Sequence, residues 1–187
     1  VSWAKGIDQK TGRPIVNPDA WYGPEGTPLS PGPGGSHNWA PMSYHPATGL
    51  VYFPGGNSCF LYAKQEDFVF QRGEGDFRGI GRSQTAVGRG GSPGTTPKPQ
   101  PPMIGPEATR EARGFLLAWD PGTQSARWRA ANGGAIGGGT FTTAGNLVFQ
   151  VVPDGRFMAY SADKGDKLFE ITTGQRGMGP PITYQLD

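Results

Sequence analysis

Few side chains in this sequence combine into a recognisable reactive group. His37 and His45 stand a short hairpin's length apart with a proline between them, but a zinc centre needs a third and fourth ligand at matching spacing. None follows in register, so the pair reads as surface or turn histidines. Asp120, Asp154 and Asp163 lie within WDPG, PDG and ADKG, where a short carboxylate accepts backbone N–H groups; they read as turn residues rather than catalytic acids. Cys59 is the single cysteine. An internal disulfide framework, a CxxC zinc ribbon and a CxxCH haem attachment are therefore excluded, and the thiol reads as a small half-buried apolar group. Asn38, within GGSHNW, reads from its neighbours as an Asx-turn residue after Gly34, Gly35 and Ser36. Trp39 beside it has a reading as a core residue. No catalytic residue and no metal ligand can be assigned.

The elements that would hold Asn38 are strands. Ala118 to Trp128, AWDPGTQSARW, and Ala159 to Phe169, AYSADKGDKLF, share a first alanine, a turn-rich middle and a bulky final aromatic. FTTA from Phe141 recurs as ITYQ from Ile182, at the same interval that separates Ala118 from Ala159. An interval of about 40 residues is the period of four-stranded β-propeller blades. Within one period the alternation predicts strands over 140–143, 147–152, 157–161 and 167–172, joined by Ala-Gly-Asn, Pro-Asp-Gly and Asp-Lys-Gly-Asp turns. A further hairpin is predicted from 41–45 and 50–54, and GIDQKTGRPIV from Gly6 is a weaker copy of the alanine-to-aromatic unit. No window shows the i, i+3, i+4, i+7 pattern of a long helix, so the fold class is all-β.

Composition agrees and excludes several classes. With 32 glycines and 19 prolines in 187 residues the chain invites a reading of disorder, but five Trp, six Tyr and ten Phe supply apolar area that a disordered chain has no reason to carry. The formal charge of +2 gives nucleic acid no obligatory role. The stretch 72–113 is Gly- and Pro-rich, too thin in aliphatic residues for a core, and reads as a long loop insertion. Its RGG-like spots suggest single-stranded nucleic-acid binding, but acids accompany the basic residues and Phe77 is the lone aromatic, so a solvated loop is the reading adopted. The longest apolar run, Phe115 to Trp119, is far short of the roughly 20 residues of a membrane span. The chain reads as soluble, and its start at Val1 without methionine or signal peptide suggests an excised or processed piece.

Five motifs then become specific in order and spacing: HNWAPMSYHPATGLVYFP from His37, GFLLAWDPGTQSARW from Gly114, GGTFTTAGNLVFQ from Gly138, DGRFMAYSADKGDKLFE from Asp154 and PPITYQLD from Pro180. Together with GIDQKTGRPIVNP from Gly6 they closely resemble the later blades of the quinoprotein alcohol dehydrogenases, over nearly the whole chain apart from the 72–113 loop. The resemblance implies a partial β-propeller: residues 1–187 would form several four-stranded antiparallel blades of an eight-bladed ring. It also implies pyrroloquinoline quinone (PQQ) on the axis beside calcium (Ca2+), an aspartate base acting on an alcohol or polyol, and electrons passed to an acceptor such as a cytochrome c. In the family the metal ligands, the disulfide over the quinone, the stacking tryptophan and the aspartate lie in earlier blades, upstream of Val1. Asn38 matches the asparagine that hydrogen-bonds the quinone, and Trp39 is taken with it as cofactor-binding. Where the family has Trp-Asn-Gly-Gly, this chain has Ile136-Gly137-Gly138-Gly139, replacing an indole donor by an aliphatic group. Phe169 stands where the repeat normally ends in tryptophan, removing a ring N–H that bridges neighbouring blades. The implied partners are an alcohol, an electron acceptor and the remaining blades or a second chain, with no nucleic acid and no membrane span, in the periplasm. The alternative is a non-catalytic propeller fragment serving as a binding or structural module.

Overall fold

The computed structural model describes residues 1–57, 60–64, 68–69, 72, 80–81, 114–131, 138–175 and 179–186. Cys59, Ile136 and nearly all of 72–113 lie outside the described residues. In chain order the strands are β1 Ala4–Ile7, β2 Pro14–Val16, β3 Thr27–Leu29, β4 Ser43–His45, β5 Leu50–Gly56, β6 Phe60–Lys64, β7 Ile80–Gly81, β8 Gly114–Asp120, β9 Ser125–Ala131, β10 Thr140–Thr143, β11 Leu147–Val151, β12 Arg156–Ser161 and β13 Lys167–Thr172. The one helical turn among the described residues is a 3-10 turn at Pro18–Ala20, whose N-cap Asn17 accepts from the Asp19 amide. The fold is nearly all-β, as the alternation predicts.

Two compact units divide the chain. One, residues 1–33 and 58–106, carries the antiparallel β1–β2 hairpin and a three-stranded sheet ordered β3-β6-β7. Tyr62 packs edge-on against Phe60 at 4.9 Å and lies 5.6 Å from Tyr22. Within the stretch read as a long loop insertion, Ile80–Gly81 pairs with Ala63–Lys64.

The other unit, residues 34–57 and 107–187, holds two four-stranded antiparallel sheets, β4-β5-β8-β9 and β10-β11-β12-β13. The second matches the sequence expectation nearly residue for residue. Ala118 pairs Trp128 and Ala159 pairs Phe169, each followed by a register shift; the alanine-to-aromatic rhythm of the repeat is a cross-strand pair of a small and a large side chain beside a bulge. ITYQ is the exception. Residues 182–185 carry no ladder, because a lone strand without a neighbour has nowhere to place its backbone hydrogen bonds.

One turn geometry closes four of the hairpins. At its start a side chain accepts amide hydrogens from the loop: Asp8 from Lys10 at 2.8 Å and Thr11 at 3.0 Å, His45 Nδ1 from Thr48 at 3.3 Å, Asp120 from Gly122 at 2.9 Å and Thr123 at 3.1 Å, and Ser161 from Asp166 at 3.0 Å. One turn further on the backbone is left-handed, with φ of 67° at Gly12, 69° at Gly49, 52° at Gln124 and 77° at Gly165. Three of those four are glycine, the residue with no steric penalty there.

The core lies between the two four-stranded sheets. Leu50, Tyr52, Leu116 and Ala118 from the first meet Val148, Val152, Met158, Tyr160 and Ala162 from the second, with Trp128 and Ala130 packed against them. The direction of packing is fixed by polar bonds to one carbonyl: Trp128 Nε1–H donates to Ala162 O at 2.9 Å, and the buried Tyr52 hydroxyl donates to the same oxygen at 2.8 Å while meeting Thr48 Oγ1 at 2.8 Å. At the opposite edge β4 and β10 are tied by Ser43 to Thr140 at 2.8 Å, Thr142 to the Tyr44 carbonyl at 3.1 Å and the Thr140 amide to the Pro41 carbonyl at 3.0 Å. The two sheets are thus joined by hydroxyls at their first strands and by aromatic rings further out. Tyr52→Phe removes the hydroxyl but leaves Ala162 O bonded to Trp128, so the expected loss is only about 1 kcal/mol in urea denaturation. A loss above about 3 kcal/mol, the full cost of a buried unpaired group, would mean the carbonyl is not shared.

Candidate functional site

Residues 34–41 lead into β4 and are held in place by their backbone. Gly35 takes φ 71°, the Gly56 amide donates to the Ser36 carbonyl at 2.7 Å, and His37 Nδ1–H donates to the Pro54 carbonyl at 2.7 Å. Because that partner is a carbonyl, Nδ1 is the nitrogen that carries the hydrogen of this bond. The ring also packs edge-on against Phe53 at 5.2 Å. Both bonds clamp the loop to the far end of β5.

On this clamped loop Asn38 is exposed, and its Nδ2 donates to the Gly34 carbonyl at 3.2 Å. That bond reaches back four residues through the amide hydrogen and is not the Asx-turn expected, in which the side-chain oxygen would accept an amide hydrogen two residues on; the side-chain oxygen makes no hydrogen bond among the described residues. Trp39 is 64% exposed, which corrects its reading as a core side chain. The buried place is taken by Ala40, and the next residue, Pro41, packs so tightly on Gly139 that a Cβ there would lie 2.8 Å from Pro41 Cδ; the indole is left outside. Asn38 and Trp39 together present an open amide and an open aromatic ring on a fixed loop, a combination suited to a flat polar ligand.

The two histidines do not converge on a metal. His45 is 3% exposed, so of the surface-or-turn reading it is the turn that holds. Nε2–H donates to the Thr143 carbonyl at 2.9 Å while Nδ1 accepts from Thr48, so the neutral ring joins β4 to the end of β10. The sequence signal for this role is the spacing His-x-x-Thr-Gly, which places an acceptor where Asp8 and Asp120 stand in their own turns. Among the described residues no three His, Cys, Asp or Glu side chains gather as a metal site.

The aspartates keep their turn roles. Amide hydrogens, that of Thr123 foremost, hold the Asp120 carboxyl below the usual range. The Asn146 side-chain amide does the same for Asp163, at 2.9 Å. Asp154 accepts from the Arg156 amide at 3.2 Å and forms a side-chain ion pair with the same arginine at 2.9 Å.

No family model matches the chain. It is 40% identical over its whole length to the quinohemoprotein alcohol dehydrogenase of Comamonas testosteroni, covering 24% of that protein. It is 36% identical, over 98% of its length, to the dehydrogenase subunit of the quinone alcohol dehydrogenase of Gluconacetobacter polyoxogenes, again covering 24%. The crystal structure of quinohemoprotein alcohol dehydrogenase from Comamonas testosteroni superposes on all of this chain with a TM-score of 0.73 at 38% identity, over 26% of the solved chain. The chain spans about a quarter of the length of the curated relatives it matches. No helix among the described residues is long and apolar enough to cross a membrane.

Proposed function

We propose that the chain belongs to the quinoprotein alcohol dehydrogenase family and forms one section of the propeller of a pyrroloquinoline-quinone-dependent enzyme. That enzyme oxidises an alcohol or polyol and passes the electrons to an external acceptor such as a cytochrome c. The observation that carries this reading is the 36% and 40% identity to two such dehydrogenases, running nearly the full length of the chain, on a loop-and-sheet framework that keeps Asn38 and Trp39 open. Residues 1–187 make one section of the propeller with 72–113 as an insertion, the two four-stranded sheets are two of eight blades, and the enzyme works in the periplasm.

The residues present fit one edge of a quinone site. When bound, the quinone supplies the two-electron acceptor that alcohol oxidation requires. Asn38 has an acceptor oxygen with no partner among the described residues and one uncommitted amide hydrogen for carboxylate or carbonyl groups, and the indole of Trp39 offers a flat face and an N–H. The His37–Pro54 and Ser36–Gly56 bonds hold that edge in position, which limits the ordering cost of binding. Calcium fits no group of described side chains, and no residue here is assigned to it.

The test is reduction of an artificial electron acceptor by the native polypeptide that carries this chain, with a primary alcohol as donor. Activity should depend on added quinone and calcium. Asn38→Ala should raise the quinone concentration needed for half-reconstitution by about tenfold, the value of one charge-assisted hydrogen bond, without changing the far-ultraviolet circular dichroism. Absence of any stimulation by quinone would leave the non-catalytic module as the reading.

A further inference from the structure

The loop that carries Asn38 and Trp39 has two ends, and they are held by different sheets. At the first end Ser36 and His37 are bonded to the Gly56 amide and the Pro54 carbonyl of β5. The other end, Pro41, is held by the second sheet. The Thr140 amide donates to the Pro41 carbonyl at 3.0 Å, and the buried Thr140 hydroxyl donates to the Tyr52 carbonyl at 2.9 Å and meets Ser43 Oγ at 2.8 Å. Asn38, Trp39 and Ala40 are thus strung between one anchor on β5 and another at the start of β10.

Gly139 decides how closely the second anchor can approach. It is buried and is not among the glycines of positive φ, so its backbone makes no demand for glycine. Space does. A Cβ on Gly139 would lie 2.8 Å from Pro41 Cδ, 3.0 Å from Pro41 Cβ and 3.0 Å from Pro180 Cβ, whereas two carbons in contact need about 3.5–4.0 Å. Pro41 is a ring closed on its own backbone and cannot yield by rotating a side chain. Nor can Gly139 withdraw freely, because its neighbours are bonded on both sides: the Gly138 amide donates to the Val151 carbonyl at 2.9 Å, and the Gly138 carbonyl accepts from the buried Gln150 amide at 3.4 Å. A side chain at 139 would therefore drive Pro41 back by roughly 0.5–1 Å and take its end of the loop along. A displacement of that size carries a hydrogen bond from its best length of about 2.9 Å past its usual limit of about 3.2 Å.

We propose that Gly139 is a positioning residue for the Asn38–Trp39 edge: by carrying no side chain it lets the start of β10 grip the far end of that loop, and so fixes where the Asn38 amide stands for a bound quinone. Its functional part rests on the quinone reading, whereas the anchor itself rests on the packing of Pro41 against Gly139 and the bond from Thr140. The run Ile136-Gly137-Gly138-Gly139, which lacks the family's indole donor, thus still serves the site through its last residue. The second sheet acts on the ligand edge without touching the ligand.

The experiment compares Gly139→Ala, Asn38→Ala and the double variant in the native polypeptide that carries this chain. It reads the quinone concentration for half-reconstitution and, without quinone, hydrogen exchange at the Thr140 and Gly56 amides. Gly139→Ala should raise the quinone concentration about tenfold, as the loss of one hydrogen bond to the ligand does. It should speed exchange at Thr140 by about fivefold or more while leaving Gly56 unchanged. In the Asn38→Ala background the same substitution should add less than about twofold, because the amide it positions is gone. A change that merely loosened the fold would add its full effect there, and that result would overturn the proposal, as would an unchanged quinone requirement in Gly139→Ala. Pro41→Ala introduces no overlap and checks the same anchor should Gly139→Ala fail to fold: it should raise the quinone requirement with the same dependence on Asn38, and no rise would count against the anchor. If quinone fails to stimulate the wild-type polypeptide, the quinone reading falls, and exchange then judges the anchor alone: acceleration at Thr140 but not Gly56 upholds it, and exchange equal to wild type overturns it.

Discussion

Gly165→Ala is expected to destabilise the chain by about 3 kcal/mol, measured as the shift in urea midpoint at unchanged m-value. Two effects add. The backbone at Gly165 has φ of 77°, a region that costs an L-residue about 1–2 kcal/mol. A Cβ there would also lie 2.6 Å from Cδ2 and Cε3 of Trp128, nearer than any real contact. The indole cannot retreat without releasing its hydrogen bond to Ala162 O, and overpacking a fixed ring costs about 1–3 kcal/mol. The internal control is Gln124, which holds the same turn position at φ 52°. Gln124→Gly relieves the backbone term with no ring above it and should be neutral or stabilising by up to about 1 kcal/mol. If Gly165→Ala fell within about 0.5 kcal/mol of wild type, the ordinary scatter of a surface substitution, the ring would not be seated on the glycine.

How far the fold is readable in the sequence follows from this position. The repeat that links Ala118 to Ala159, the strands of the second sheet and the turns at Asp120 and Ser161 were legible, because alternation, Asp-Gly and Lys-Gly turns and cross-strand pairs are local patterns. What was not legible lies between repeats. Nothing near Trp128 says that its partner is the carbonyl of Ala162 in the next sheet, or that His45 is a buried acceptor bonded to Thr143; those are consequences of how two sheets stack. Trp39 misled for the converse reason. Tryptophan is highly buried on average, yet here Ala40 takes the buried place and Trp39 is left outside. Residues 182–185 have the alternation of a strand and yet no partner, so a correct local pattern was not sufficient. At the candidate site Asn38 was singled out by the family resemblance and not by its residue type, and the clamp that holds its loop, His37 on Pro54 and Gly56 on Ser36, joins that loop to the far end of β5 and leaves no local signal.

Trp128→Ala should cost about 3–5 kcal/mol, the range for deleting a large aromatic ring from a packed position. The ring lies 5.6 Å from Tyr52 and 6.5 Å from Tyr160, stacked on the latter, and closes over Gly165. Hydrogen bonding is a small share of that figure. Ala162 O keeps its bond from Tyr52, so Trp128→Phe, which preserves most of the packing and loses the N–H, should cost about 1 kcal/mol. A double-mutant cycle then separates the two effects at Gly165. In the Trp128→Ala background the alanine at 165 meets no ring, so only its backbone term of about 1–2 kcal/mol should survive, giving a coupling energy of about 1–3 kcal/mol. Additive costs would mean that the ring and the turn are independent, and the stack of the two sheets would then be held by Tyr52 and the aliphatic core alone.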